Sequence, residues 1–198
     1  MTAVKITNVP AYLAETGIEI EVPDFGPLTV DVSYGGNYYA IIEPQGAYTG
    51  LDDLGASRII DLSNAVRALV REKFTPVHPL DETITGVSHV MWTDAPKYGG
   101  NGRNAVFYGD KAIDRSPCGT GTSARMAHLH AKGRLAKGDA FVHESYIGST
   151  FTGCVEEETK LGDLDAIIPS IEGSAISTGF NTIFIDDEDL FWEGFQVR

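Results

Sequence analysis

The stretch "DRSPCGTGTSARMAHLHAKGRL", residues 114–135, sets Cys118 directly before Gly-Thr-Gly-Thr, where a loop turns into a helix. Ser116 and Pro117 close the loop, Gly119, Thr120 and Gly121 keep the next side chains small, and "TSARMAHLHAK" supplies helix formers. The first amides of a helix lack carbonyl partners, so the N–H groups of Gly119, Thr120 and Gly121 are candidate anion donors. The same field favours thiolate over thiol and predicts a Cys118 pKa below the ordinary cysteine range. Such a site suits one chemistry well: the amides hold a carboxylate while the sulfur exchanges a proton with the adjacent carbon. Other readings of the pattern stay open. A cysteine beside a glycine-rich turn is often a packed core residue. A cysteine hydrolase needs a histidine base, for which His89, His128, His130 and His143 are the candidates. A phosphate loop fits poorly, because "GTGTSAR" has neither Gly-Lys-Ser/Thr nor the third glycine of a dinucleotide fingerprint.

Outward from this stretch the chain reads as short strands with two helices. Before it, "VKITNV", "IEIEV", "LTVDVSY" and "NYYAII" are β-rich runs separated by Pro, Gly and Asn, a meander. Residues 61–74, "DLSNAVRALVREKF", set Leu62, Val66, Leu69 and Val70 on one helical face, with Asp61 or Ser63 placed to cap. "GVSHVMW" and "NAVFYG" predict two more strands, joined by the Gly- and Asn-rich surface loop "DAPKYGGNGRN". After the Cys118 helix come "AFVHESYIG", "TFTGCVEEET", "DAIIPSIEG" and "SAISTGFNTIFI", again strand-like, and then the acidic and aromatic tail "DDEDLFWEGFQVR". The expectation is an α+β fold in which sheet wraps helix.

Composition narrows the partners. The 198 residues are 42% hydrophobic, enough for a sizeable core, and 28 acidic against 15 basic residues give a net charge of -13. That argues against a nucleic-acid backbone or an anionic membrane surface as partner and leaves small molecules and proteins. The longest apolar runs fall far short of the roughly 20 residues of a membrane span, and "MTAVKITNVPAYLAETGIEI" lacks the pattern of a secretory signal, so a cytoplasmic setting is expected. The two cysteines, Cys118 and Cys154, are expected to be free thiols, and no His/Cys cluster has metal-ligand spacing.

The segments "NVPAYL", "TVDVSYGGNYYAII", "GVSHVMWTDAP", "RNAVFYGDKAIDRSPCGTGTSARMA", "FVHESYIGSTFTG" and "STGFNTIFIDDEDLFWEGF" resemble the proline racemase family, essentially from end to end. Within the family the wording is nearest to the 4-hydroxyproline 2-epimerases. The resemblance implies a diaminopimelate-epimerase-like fold of two similar halves, each a curled β-sheet or barrel around a central helix, with the site in the cleft between them. It implies an isomerase without cofactor or metal, in which two cysteines face each other across the substrate α-carbon. One removes the α-proton and the other delivers a proton to the opposite face. Cys118 falls on one of this pair, Asp114 on the aspartate that contacts the substrate amine, Gly119 and Thr120 on the donors to the carboxylate, and His89 on a substrate-binding histidine. Read without the resemblance, Asp114 suits a turn and His89 a satisfied core position.

The family's first cysteine lies in a "CGH" segment, and none occurs here. The resemblance therefore implies that residues 1–178 are the second domain and that residues 179–198 pack on an N-terminal half that is missing from this sequence. Cys154, in "FTGCVEEE", falls where the family has no catalytic cysteine and reads as structural. Dehydratase members carry Thr where Cys118 stands, which points to epimerisation of hydroxyproline or proline. The expectation is that this chain alone is inactive. The rival within the family is a remnant that binds carboxylate without chemistry.

Overall fold

The structure, a computed structural model, describes residues 3–194; residues 1, 2 and 195–198 of the two expected segments lie outside the described residues. The strands are β1 (Val4–Thr7), β2 (Tyr12–Val22), β3 (Gly26–Tyr34), β4 (Tyr38–Ile42), β5 (Val77–His78), β6 (Asp81–Thr85), β7 (His89–Asp94), β8 (Gly102–Tyr108), β9 (Ala112–Ile113), β10 (Ala140–Glu144), β11 (Thr150–Leu161) and β12 (Leu164–Gly173). The helices are α1 (Leu51–Lys73) and α2 (Gly119–Ala131).

Nine strands run in one sheet in the order β1-β12-β11-β10-β8-β7-β4-β3-β2, with β9 paired to β8, while β5 and β6 form a separate hairpin. Neighbours are antiparallel except at two places, β4 beside β7 and β8 beside β10. Each parallel pair needs a long crossover. The first carries α1 and the second carries α2. The sheet curls until an antiparallel bridge between Ala11 and Ile167 ties its far ends together. One bridge is not a ladder, so the sheet is a curled α+β wrap and not a closed barrel.

The two helices divide the roles. Helix α1 buries Leu51, Ile59, Leu62, Val66 and Val70, one face only, against β2, β7 and β8. Every residue of α2 from Gly121 to Leu129 is buried, as a helix enclosed by sheet must be. Met126, Ala127 and Leu129 pack with Val155, Ile167 and Ile171, while Ala124 and Cys118 pack with Tyr39, Ile41 and Met91. The buried polar residues of α2 are paired, because an unpaired one would cost more than any packing gain. His128 Nε2 lies 2.7 Å from Asp31 Oδ2 on β3, and the Arg125 guanidinium lies 2.8 Å from Glu43 Oε1 just beyond β4. Lys132 also pairs with Asp31. These bonds anchor the far end of α2 to the strands that lead to its N-terminal end.

Two sequence expectations are corrected. The helix expected over 61–74 begins ten residues earlier, at Leu51, with a kink at Gly55 (φ 72°) that interrupts the apolar periodicity there. Residues 174–185, expected as a strand, form none. Ile176, Phe180, Ile183 and Phe184 stand more than four-fifths exposed, with no sheet edge beside them to complete a ladder.

Candidate active site

Cys118 is the residue before α2, with φ 68° and ψ 118°. A non-glycine residue with positive φ and this ψ is strained, at a cost of order 1–3 kcal/mol, and persists only where its surroundings over-determine it. Here they do. The Cys118 amide donates to Ser116 Oγ at 3.1 Å, its carbonyl accepts from the Thr122 amide at 2.8 Å, and Asn104 Nδ2 holds the Pro117 carbonyl at 2.9 Å. Since Thr122 to Cys118 is the first intrahelical bond, the amides of Gly119, Thr120 and Gly121 have no carbonyl partner within α2. The Gly121 amide bonds to the Cys118 sulfur.

The sulfur has two hydroxyl neighbours, Tyr39 Oη at 3.3 Å and Thr120 Oγ1 at 4.0 Å. Tyr39 Oη lies 2.6 Å from Thr120 Oγ1, and Asn37 Nδ2 approaches the same Thr120 oxygen at 3.5 Å. The Tyr39 ring packs on His89, centroids 4.9 Å apart, because β4 and β7 are parallel and Tyr39 is registered opposite His89. His89 Nδ1 bonds to Ser88 Oγ at 2.7 Å, and burial holds the imidazole below its ordinary pKa, the Arg67 charge adding to this and Asp114 opposing it. Asp114 Oδ1 accepts from the Ser116 amide at 2.8 Å and from Ser116 Oγ at 2.9 Å, a turn that shapes the approach to Cys118. Its charge is felt at both Cys118 and His89.

All five residues singled out in the sequence therefore sit around the N-terminal end of α2: Cys118, Gly119 and Thr120 on it, Asp114 in the turn before it, and His89 across Tyr39. The turn reading of Asp114 is realised, since Oδ1 builds the turn and Oδ2 takes no part in it. The expected depression of the thiol is not found. Burial is the largest influence and pushes Cys118 upward, outweighing the hydrogen bonds from Tyr39, Gly121 and Thr120 that pull it down. Among the described residues no histidine bonds to the sulfur. His128 is engaged by Asp31, His130 by the Leu135 carbonyl, His143 by Thr122 and His89 by Ser88, which removes the hydrolase reading. Cys154 lies on β11, between Ala140 of β10 and Ser170 of β12, and both thiols are free.

Sequence reasoning missed Tyr39, which reads as one more aromatic in "NYYAII". The alternation of Asn37, Tyr39 and Ile41 onto one face of β4 was the available signal. Beside the site, Ser116, Gly119, Phe151 and Ile171 line an apolar hollow of about 390 Å³. A second hollow, lined by Asp114, Arg115 and Ser149, shares Ser116, Phe151 and Ser174 with the first.

A strained cysteine at the start of an enclosed helix, ringed by hydroxyls and free amides, defines a class of site suited to proton exchange beside an anion. The family model described as Proline racemase matches residues 1–196, and the chain belongs to the proline racemase family. A 4-hydroxyproline epimerase of Brucella ovis is 56% identical over 195 residues, covering 98% of this chain and 59% of the relative. A 4-hydroxyproline 2-epimerase of Shewanella loihica is similar to the same extent, 56% over 195 residues and 59% of its length. Among solved structures, a hydroxyproline epimerase from Agrobacterium vitis with bound trans-4-OH-L-proline superposes with a TM-score of 0.87 at 32% identity, covering 99% of this chain and 56% of that one. The chain thus spans 59% of the length of these curated relatives. Among the described residues no helix is long and apolar enough to cross a membrane.

Proposed function

We propose that this chain is the Cys118-bearing half of a cofactor-independent, two-cysteine amino-acid epimerase that interconverts trans-4-hydroxy-L-proline and cis-4-hydroxy-D-proline. The observation that carries the reading is the Cys118 sulfur itself, held at the N-terminus of α2 within reach of the Tyr39 hydroxyl and the Gly121 amide. The names of the relatives that are 56% identical support the substrate. The cytoplasm, where unpaired thiols persist, suits Cys118 and Cys154.

In this reading the substrate carboxylate lies on the free amides of Gly119 and Thr120, Asp114 faces its ring nitrogen, and His89 helps to bind the substrate. Removal of the α-proton builds negative charge on the carboxylate, which preorganised amides stabilise. Cys118 gives or takes the proton on one face of the α-carbon. The group on the other face comes from outside these 198 residues, and residues 179–194 pack on the part that supplies it. One equipped face does not epimerise: a positioned acid or base contributes about 10²- to 10⁴-fold, and an open cleft forfeits the exclusion of water as well.

The test mixes the chain with an N-terminal half bearing the "CGH" cysteine and follows trans-4-hydroxy-L-proline by polarimetry and by α-deuterium exchange. Activity should appear in the mixture, be lost with Cys118→Ser, and be absent from the chain alone. Carboxylate binding without exchange in the mixture would favour the binding remnant instead.

A further inference from the structure

We propose that Tyr39 is a catalytic residue of this site: its hydroxyl donates to the Cys118 sulfur when that sulfur is an anion, accepts from it when it is a thiol, and passes the reversal on to Thr120. The proposal rests on the reading that Cys118 exchanges a proton with substrate, but the hydroxyl chain behind it is open to test without substrate.

Counting hydrogens gives the argument. Tyr39 Oη and Thr120 Oγ1, 2.6 Å apart, carry one hydrogen each, and Asn37 Nδ2 beside Thr120 can only donate. A thiolate cannot donate, and it draws the hydrogen of the nearer hydroxyl, Tyr39 Oη at 3.3 Å, in preference to that of Thr120 Oγ1 at 4.0 Å. Tyr39 Oη then accepts from Thr120, and Thr120 Oγ1 accepts from Asn37. Every group is satisfied in that arrangement, and Asn37 also bonds to Tyr39 Oη, which has a second lone pair to accept it. When the sulfur is protonated, its S–H turns to Tyr39 Oη and the Tyr39 hydrogen turns to Thr120. The Thr120 hydrogen is now released for an acceptor other than Tyr39. No bond to hydrogen is made or broken along the chain; two hydroxyls rotate. The only proton transferred is the one between sulfur and the α-carbon.

The surroundings keep Tyr39 to this task. The residue is fully buried, so water does not compete for its hydroxyl, and its ring is pinned by His89 at 4.9 Å. Burial also holds the phenol far above its ordinary pKa, so it stays a neutral donor and acceptor at any working pH. The two states of Cys118 thereby present two different faces to a carboxylate: a Thr120 hydroxyl offered with the thiol, and one withdrawn with the thiolate. A site that must accept one epimer with Cys118 protonated and the other with it ionised needs a partner able to serve both.

The experiment is the pH dependence of Cys118 alkylation by iodoacetamide in a Cys154→Ala background, read by peptide mapping. Tyr39→Phe should lower the thiolate fraction at a fixed pH near 8 about tenfold, the size of one hydrogen bond to a charged group. Thr120→Val should move it in the same direction by less. Replacing Tyr39 alone with 3-fluorotyrosine, a stronger donor of the same shape, should raise the thiolate fraction, which a purely structural tyrosine would not do. That substitution also decides the matter if Tyr39→Phe fails to fold. A folded Tyr39→Phe chain that titrates like its parent, or an unmoved fluorotyrosine profile, overturns the proposal. Neither readout depends on epimerisation, so an inactive reassembled enzyme with the expected titrations would sink the functional reading and leave the Tyr39 chain standing.

Discussion

A Cβ built on Gly121 stands 3.1 Å from the Cys118 sulfur and 3.0 Å from the Cys118 Cβ. Those separations are just tight enough that a methyl group there displaces the thiol without breaking the helix. Alanine is also the better helix former by about 1 kcal/mol. Gly121→Ala should leave the melting temperature within a few degrees of the parent. In the reassembled enzyme α-deuterium exchange should fall at least about tenfold, since small misplacements of a catalytic group are costly. A large loss of stability with normal exchange would refute it.

Gly35 gives the opposite outcome. Its Cβ would meet the Ala124 amide nitrogen and the Thr120 carbonyl, each at 2.4 Å, and both are backbone of α2. The β3–β4 turn approaches the helix too closely for any side chain. Gly35→Ala should cost about 3 kcal/mol or more in urea denaturation, at the upper end of overpacking effects.

Asp114 separates its two duties by substitution. Asparagine retains the oxygen that accepts from the Ser116 amide and hydroxyl, while alanine removes it. Asp114→Asn should fold normally and, on the proposed function, reduce exchange about 10²-fold or more through loss of the charge proposed to face the substrate amine. Asp114→Ala should add a stability loss of about 1–2 kcal/mol from the broken turn. Thermal melts alongside exchange rates distinguish them, and equal stability of the two variants would argue against the turn.

Acid should destabilise the fold in two stages. His143, buried against Thr122, is pushed by burial from 6.5 to about 3, and burial also lowers His128. A histidine depressed in the folded state contributes stability that is complete above its unfolded pKa and is lost as pH falls below it. The first loss therefore begins below about pH 6.5. Asp31 and Glu43 add the second. Burial opposes their ionisation, but bonds from His128 and Lys132 hold Asp31 well below the carboxylate range, and Arg125 and Arg134 bring Glu43 to about 2. Their contribution is present above pH 4.5 and disappears as pH drops through the folded values. His143→Gln should flatten the urea midpoint between pH 6.5 and 4 while leaving the lower stage intact; an unchanged slope would remove His143 from the account.

The sequence carried the central helix and its cysteine openly, because glycines followed by a run of helix formers mark that junction locally. The start of α1 was hidden by Gly55, whose positive φ breaks the periodic pattern on which the reading relied. The state of the Cys118 thiol was misjudged for a different reason. A helix N-terminus is a local property, whereas burial is set by Tyr39, Ile41, Met91 and Val106, which arrive from three other strands. Tyr39 itself was invisible as a site residue because its role comes from the parallel pairing of β4 with β7, which no local pattern specifies. Residues 174–185 have the composition of a strand, but composition does not provide the partner that a ladder requires.

The register of Val4 with Gly173 has a consequence for how the molecule comes into being. The wrap around α2 is finished by strands from opposite ends of the described chain, so a ribosome must release nearly all of it before the enclosure closes. Until β11 and β12 arrive, Met126 and Leu129 face water, and nascent chains in that condition are natural clients of chaperones. Contacts so distant in sequence also make for slow folding. The late step of refolding falls at the β1–β12 seam, where Val4, Ile6, Ile171 and Gly173 line the same hollow as Gly119, so that hollow is completed only when the seam closes.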